Sequence, residues 1–265
     1  MSRFLTIAVI GLLCVTRASG QHYEERFDAL NQRPWRVLFQ DSGRDAWPQK
    51  WFLDGEKSAV TNTPQGMEIV AGAVPQQDSS HTVLWTRQNF EGDLKIEYDF
   101  TRLDTTTTNS VNILYIQATG SGLSPYDKDI ALWCDLRREP AMPCYFDHMN
   151  SYHISYAVAD GASDDYLRGR RYVPETGRGL KGTALTPEYT RTGLFLRNVT
   201  YHITVLKIGK ELIMKVEGGG QHQTFYFDAT PFAPITEGRI GLRLMATRAS
   251  RFANFVVYGL APAAL

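Results

Sequence analysis

Across residues 94–101 the chain alternates strictly, with Leu94, Ile96, Tyr98 and Phe100 on one side and Lys95, Glu97, Asp99 and Thr101 on the other. A period of two marks a strand with one face in a core and the other in water. The pattern returns in the C-terminal third. It predicts strands over residues 201–208 and 211–216 joined by Gly209-Lys210, a third over 223–228 after Gly218-Gly219-Gly220, and two more over 239–245 and 252–258. Strands so closely spaced, with turns between them, indicate an all-β sandwich or barrel. Helical periodicity is convincing nowhere in residues 21–265, and there is no tandem repeat or low-complexity linker.

The first twenty residues hold Arg3, an apolar run over 4–15 and the small residues Ala18-Ser19-Gly20. That is the layout of a secretory signal peptide, with a run too short to cross a bilayer. Leu12-Leu13 stand before Cys14 where a lipoprotein signal needs a small residue, so a soluble chain from about Gln21 is expected, secreted or periplasmic and not inserted in a membrane. Residues 21–265 are expected to fold as one domain. The sequence balances 28 basic against 28 acidic residues, and losing Arg3 and Arg17 leaves the remainder slightly acidic. Such neutrality argues against nucleic acid and anionic membranes as partners.

Cys134 and Cys144 flank a turn containing Pro140 and Pro143. In an oxidising compartment they are expected to form a disulfide; two unpaired thiols are the alternative, and zinc is the weakest option because no His or Cys stands beside them at ligand spacing. Residues 160–190 differ from their surroundings, carrying Asp164, Asp165, Arg168, Arg170, Arg171 and Arg178 among glycines with little alternation. So long a connection is expected to be a functional lid or a disordered excursion.

Two strands carry candidate chemistry. Period two puts His81, Val83, Trp85 and Arg87 on one face, a set that suits a sugar: the indole stacks on a pyranose while His81 and Arg87 bond hydroxyls or a carboxylate. A buried Trp85 with His81 at the strand edge is the structural alternative. Over residues 151–158, Ser151, His153 and Ser155 share one face and Tyr152, Ile154, Tyr156 and Val158 the other. His148 and Asn150 precede this strand and the arginines follow it.

The ending Gly238-Arg-Ile-Gly-Leu-Arg-Leu-Met245 with Phe252-Ala-Asn-Phe-Val-Val-Tyr258 resembles the final strands of concanavalin A-like lectin/glucanase domains. With His81-Thr-Val-Leu-Trp85, Asp93-Leu-Lys-Ile-Glu-Tyr-Asp-Phe100 and Asn150-Ser-Tyr-His-Ile-Ser-Tyr156, the stretch from about Arg33 to Tyr258 is similar, more narrowly, to the YesU-like proteins, one of which is associated with rhamnogalacturonan-utilisation genes. The resemblance implies a two-sheet antiparallel jelly roll that handles carbohydrate, and no settled reaction.

Beside it stands a chemical reading of the residues as a polysaccharide lyase. β-Elimination from a uronate needs a group to neutralise the carboxylate, a base for the C5 proton and an acid for the leaving oxygen. Arg168 or Arg170 with Asn150 fit the first, His153 or His81 the second, and Tyr156 or Tyr166 the third, Tyr156 least well because alternation places it opposite His153. Trp85, Arg87 and His148 complete the expected substrate contacts. Hydrolysis by paired carboxylates is disfavoured: Glu97-Tyr-Asp99 is the nearest match to Glu-x-Asp-x-x-Glu, and Arg102 stands where the last Glu belongs. Asn198-Val-Thr200 matches a glycosylation sequon, a triplet that has meaning only in a eukaryotic secretory pathway and arises often by chance. No cofactor is expected, although a structural calcium ion would suit the fold class. The expected ligand is a plant or algal acidic polysaccharide, cleaved or bound by a monomer. A non-catalytic glycan-binding module and a structural interaction domain are the competing classes.

Overall fold

The computed structural model describes residues 21–105, 110–158 and 165–261. The strands among them are β1 (Trp35–Asp41), β2 (Trp51–Asp54), β3 (Ala59–Thr63), β4 (Gly66–Val70), β5 (Thr82–Thr86), β6 (Phe90–Glu91), β7 (Leu94–Arg102), β8 (Asn112–Gly120), β9 (Met149–Tyr156), β10 (Tyr166–Tyr172), β11 (Ala184–Thr190), β12 (Thr200–Ile208), β13 (Glu211–Gly218), β14 (Gln221–Asp228), β15 (Glu237–Leu244) and β16 (Ala249–Leu260). Among the described residues these strands pair antiparallel. The back layer runs β3-β4-β16-β7-β12-β13-β14, and the front layer β2-β5-β15-β8-β9-β10-β11. The single pair Thr186↔Asp228, between β11 and β14, carries the pairing from one layer to the other.

The two layers close on one interior. Leu84, Leu114, Ile154 and Leu242 of the front meet Ile96, Val205, Met214 and Val257 of the back in a single apolar cluster, each removed from water. Burying such a side chain is worth about 1.5–3 kcal/mol, the main drive for stacking the sheets. The five C-terminal strands stand where alternation placed them, each starting and ending within three residues of the expected bounds; β15 begins two residues early and stops before Met245. The fold is an all-β, two-sheet antiparallel jelly roll.

Three expectations need correction. Residues 21–31 are helical. Tyr23, Phe27 and Leu30, spaced four and three apart, dock on the outside of the back sheet: Tyr23 stacks on Tyr226 at 5.0 Å, while Phe27 and Leu30 pack on Leu206, Ile208 and Ile213. The Arg-rich region is no lid over the part that is described. It contains β10 and β11, paired to each other, and β10 also pairs with β9; residues 160–164 lie outside the described set. Finally, Cys134 and Cys144 are free thiols rather than a disulfide, each in its own short helical turn.

Those turns form the feature that decides where a ligand can go. Between β8 and β9 the chain makes 3-10 turns over Ile130–Arg137 and a short helix over Met142–Phe146. This cap lies across the front sheet, where Ile130, Trp133 and Tyr145 join Val83, Trp85, Ile113 and Tyr115 in a second apolar cluster. Strand β8 is therefore buried along its whole length.

Candidate functional site

Strand registers bring several of the expected site residues onto one face of the front sheet. Phe52 lies beside Trp85, Trp85 beside Gly241, Gly241 beside Tyr115, Tyr115 beside His153 and His153 beside Arg170. Gly241 makes the row possible, because a Cβ there would lie 2.5 Å from the Trp85 ring. The indole crosses that gap to stack on Tyr115, ring centroids 5.3 Å apart.

This face is sealed rather than hollow. Trp85 is 0 % exposed, and His81 and His153 are each 4 % exposed. Tyr145 of the cap lies parallel to Tyr115 at 5.9 Å, in the position where a sugar ring would stack. The cap is held by Asp54, whose Oδ2 accepts from Arg137 Nε at 2.6 Å, Trp85 Nε1 at 2.7 Å and Tyr145 OH at 3.1 Å. Arg243 lies 4.4 Å from the Tyr145 ring centroid and donates to the Pro140 carbonyl and to His81 Nδ1. The alternative of a buried tryptophan beside an edge histidine is the one that this packing realises. Trp85 cannot touch a ligand while the cap is in place.

Burial sets the protonation of both histidines. It pulls His81 down to about 4, helped by the adjacent Arg243 cation, and holds His153 well below the usual imidazole range, helped by Arg170, Arg243 and Arg168. Both are neutral at pH 7. His153 Nδ1 and the Tyr172 hydroxyl are 2.5 Å apart, while its Nε2 is buried without a hydrogen-bond partner.

The other expected residues are dispersed. Tyr156 points into the interior, where its hydroxyl meets that of Tyr98 at 3.2 Å, opposite His153 as alternation required. Arg87 follows the end of β5 at the surface and donates to the Pro48 carbonyl. Arg168 makes a two-point pair with Glu188, at 2.7 and 2.5 Å, and lies 4.2 Å over the Tyr166 ring. Arg170 donates to Thr183 Oγ1 at 3.2 Å. His81 also lines a cleft of about 280 Å³ with Asp78, Met142 and Met245. His148 and Asn150 stand apart from all of these, at the far end of β9.

That far end is open. At Gln117, φ is 53°, in the left-handed region that a non-glycine residue seldom adopts, and β8 bulges there. Its register shifts against β9 between Ile116 and Thr119, and against β15 between Arg239 and Gly241. Gly238, at φ 142°, lies so close beneath the bulge that a Cβ would come within 2.1 Å of the Gln117 carbonyl carbon. Beside the bulge run three clefts with shared walls. The first, about 330 Å³, is lined by Asn89, Thr119, Asp127, Lys128, Asp129, Glu237 and Arg239. The second, about 460 Å³, shares Thr119, Lys128 and Glu237 with it and adds Asn150, Leu123 and Ile235. The third, about 250 Å³, shares Ser121, Leu123 and Pro174 with the second and reaches Tyr126, Asp147, His148 and Glu175.

The groove therefore combines what sugar recognition uses. Tyr126 and His148 stack at 3.7 Å, and Leu123 is 74 % exposed at the lip, which supplies apolar surface for C–H faces. Asn150, Thr119 and the carboxylates supply hydrogen bonds. Asp147 also ties the wall down by accepting from the backbone N–H groups of Gly177 and Gly179. Sequence reasoning found His148 and Asn150 here and missed Tyr126, Asp127, Asp129, Glu237 and Arg239. The signal for Tyr126, Asp127 and Asp129 was the turn-rich stretch around Pro125, and polar turn residues are too common to mark a site; Glu237 and Arg239 stand at the start of β15 with no signal of their own. Among the described residues no group of three or more His, Cys, Asp or Glu is placed to hold a metal ion.

The sequence matches no protein-family model and no curated protein. Solved structures do match. A Bacillus subtilis protein of unknown function with a galectin-like fold aligns at TM-score 0.59 and 16 % identity, over 84 % of this chain and 97 % of that one. The exoplasmic/lumenal domain of VIP36, solved with Ca2+ and Man3GlcNAc, aligns at TM-score 0.55 and 9 % identity, over 88 % and 92 %. A Bacillus licheniformis β-glucanase aligns at TM-score 0.50 and 13 % identity, over 86 % and 98 %. At such identities the likeness shows the fold alone, and that fold is the lectin and glucanase jelly roll.

Proposed function

We propose that this chain is a secreted, monomeric glycan-binding protein of a single domain over residues 21–265, akin to the YesU-like group, whose ligand lies in the groove beside the β8 bulge. One observation carries the reading: three joined clefts set a stacked Tyr126–His148 pair, an exposed leucine and Asn150 along one path, at a point of backbone strain. Strain retained at a cleft is a recurrent mark of function. The lectin and glucanase folds among its structural neighbours support glycan handling in general terms. The test is a glycan array followed by calorimetry, with Tyr126→Ala and Asn150→Ala as variants. Binding that both variants weaken while the melting temperature holds supports the groove; unchanged binding rejects it.

A second reading, β-elimination on a uronate polymer, is favoured by the His153–Tyr172 contact with Arg170 on the neighbouring strand. It requires the cap to leave, because a base that is 4 % exposed cannot reach a C5 proton. Ultraviolet absorbance from unsaturated uronates during incubation with acidic polysaccharides, lost in His153→Ala, would establish it. Binding without that signal leaves the non-catalytic reading in place.

A further inference from the structure

We infer that the groove accepts an internal stretch of a neutral glycan chain and turns polyuronates away, an inference that rests on the groove being the binding site. Charge in the groove opposes an anionic ligand. Asp127, Asp129 and Glu237 crowd one end, and the two cations there are already countered. The Arg239 side chain, 12 % exposed, is held by Asp129 at 2.8 and 3.0 Å, and Lys128 Nζ lies 3.9 Å from Glu237. Asp127 remains in excess. The other end adds Asp147, while Glu175 there is paired by Arg178 at 3.2 Å, and burial holds the imidazole of His148 below its ordinary range, so that it is mostly neutral at pH 7 and leaves Asp147 in excess. A uronate carboxylate entering this path meets like charge, whereas sugar hydroxyls donate to the same oxygens. The arginines that could recognise a uronate, Arg168 and Arg170, belong to β10 and line none of the three clefts.

The shape of the groove suits a chain. The three clefts share wall residues pairwise, so the site is a path and not a closed pocket. A pocket for a terminal sugar contacts one ring and gains nothing from the next. A path of joined clefts gains contact with each added ring until it is filled.

The experiment is calorimetry at low ionic strength with the full secreted chain, using cello-, xylo- and manno-oligosaccharides and oligogalacturonates, each from disaccharide to hexasaccharide. The expected result is a neutral series that tightens by roughly tenfold or more from disaccharide to tetrasaccharide, with oligogalacturonates at least roughly tenfold weaker. Combining Asp127→Asn with Glu237→Gln keeps acceptor oxygens, removes two charges and should narrow that gap by roughly tenfold. Oligogalacturonates that bind as tightly as neutral chains, a gap unchanged in the variant, or affinity independent of length would each overturn the inference and leave the groove reading standing. Absence of binding by either class would remove the groove reading itself.

Discussion

Arg137→Met removes the cation from the base of the cap while keeping its aliphatic bulk. Arg137 and Asp54 are both 0 % exposed and 2.6 Å apart, and the guanidinium also donates to the carbonyls of Trp133 and Ile130, at 3.1 and 2.9 Å. Breaking a buried pair from one side costs about 3–5 kcal/mol, because the surviving charge is left without compensation. About 4 kcal/mol in a chain of this size corresponds to a fall of about 8–16 °C in melting temperature. Asp54→Asn should cost a similar amount from the other side. The double variant leaves no stranded charge, so its loss should be about 4–5 kcal/mol instead of the additive figure of about 8. Acid gives a second signature. Burial pushes the Asp54 carboxyl above its usual range and Arg137 is the strongest pull in the other direction, so the single variant raises it further. Native Arg137→Met then binds a proton that its unfolded chain does not, and its deficit should shrink as pH falls through the folded value. Urea denaturation of the four proteins from neutral pH to pH 5 tests both points. A loss under about 1 kcal/mol, or strict additivity, would refute the pair as the anchor of the cap.

His81 titrates at about 4 and His153 well below its usual range, while an unfolded histidine titrates near 6.5. Below pH 6.5 the unfolded chain therefore binds more protons, and stability should fall toward pH 4, with a share on the order of 3 kcal/mol from His81. His202, raised by its bond to Asp99, works in the opposite direction, so melting curves in a His202→Ala background give the cleaner slope; no decline between pH 6.5 and 4 would count against both assignments. Gly241→Ala drives a methyl against the Trp85 ring and should cost about 1–3 kcal/mol with altered tryptophan fluorescence, whereas a neutral result would contradict the stack. Thiol titration of the denatured, unreduced chain from residue 21 should count both Cys134 and Cys144 as free; a count of zero would restore the disulfide.

Alternation made the sandwich legible because it registers which side chains share a face, and it correctly separated Tyr156 from His153. It cannot register what covers a face. The cap was unreadable for that reason: a 3-10 segment interrupted at Trp133 and a five-residue helix have no sustained period. The helical residues 21–31 bury Phe27 and Leu30 and half-bury Tyr23 on one stripe, too few to stand out from polar surroundings. In β10 the alternation was present, since Tyr166, Arg168, Arg170 and Tyr172 are spaced by two, but arginines on the outer face hid it. Half of the groove comes from turns whose meeting is set only by tertiary packing, so of its residues only His148 and Asn150 were found.

Before its bulge, over residues 112–116, strand β8 is covered on one side by the apolar interior and on the other by the cap, and has no solvent side. Its amides can exchange with deuterated water only when the cap lifts or the whole sandwich opens, so they should be among the last to label. The lag between labelling of the cap and labelling of β8 measures the free energy that separates these two events. That difference determines whether the aromatic row beneath is ever presented to anything outside.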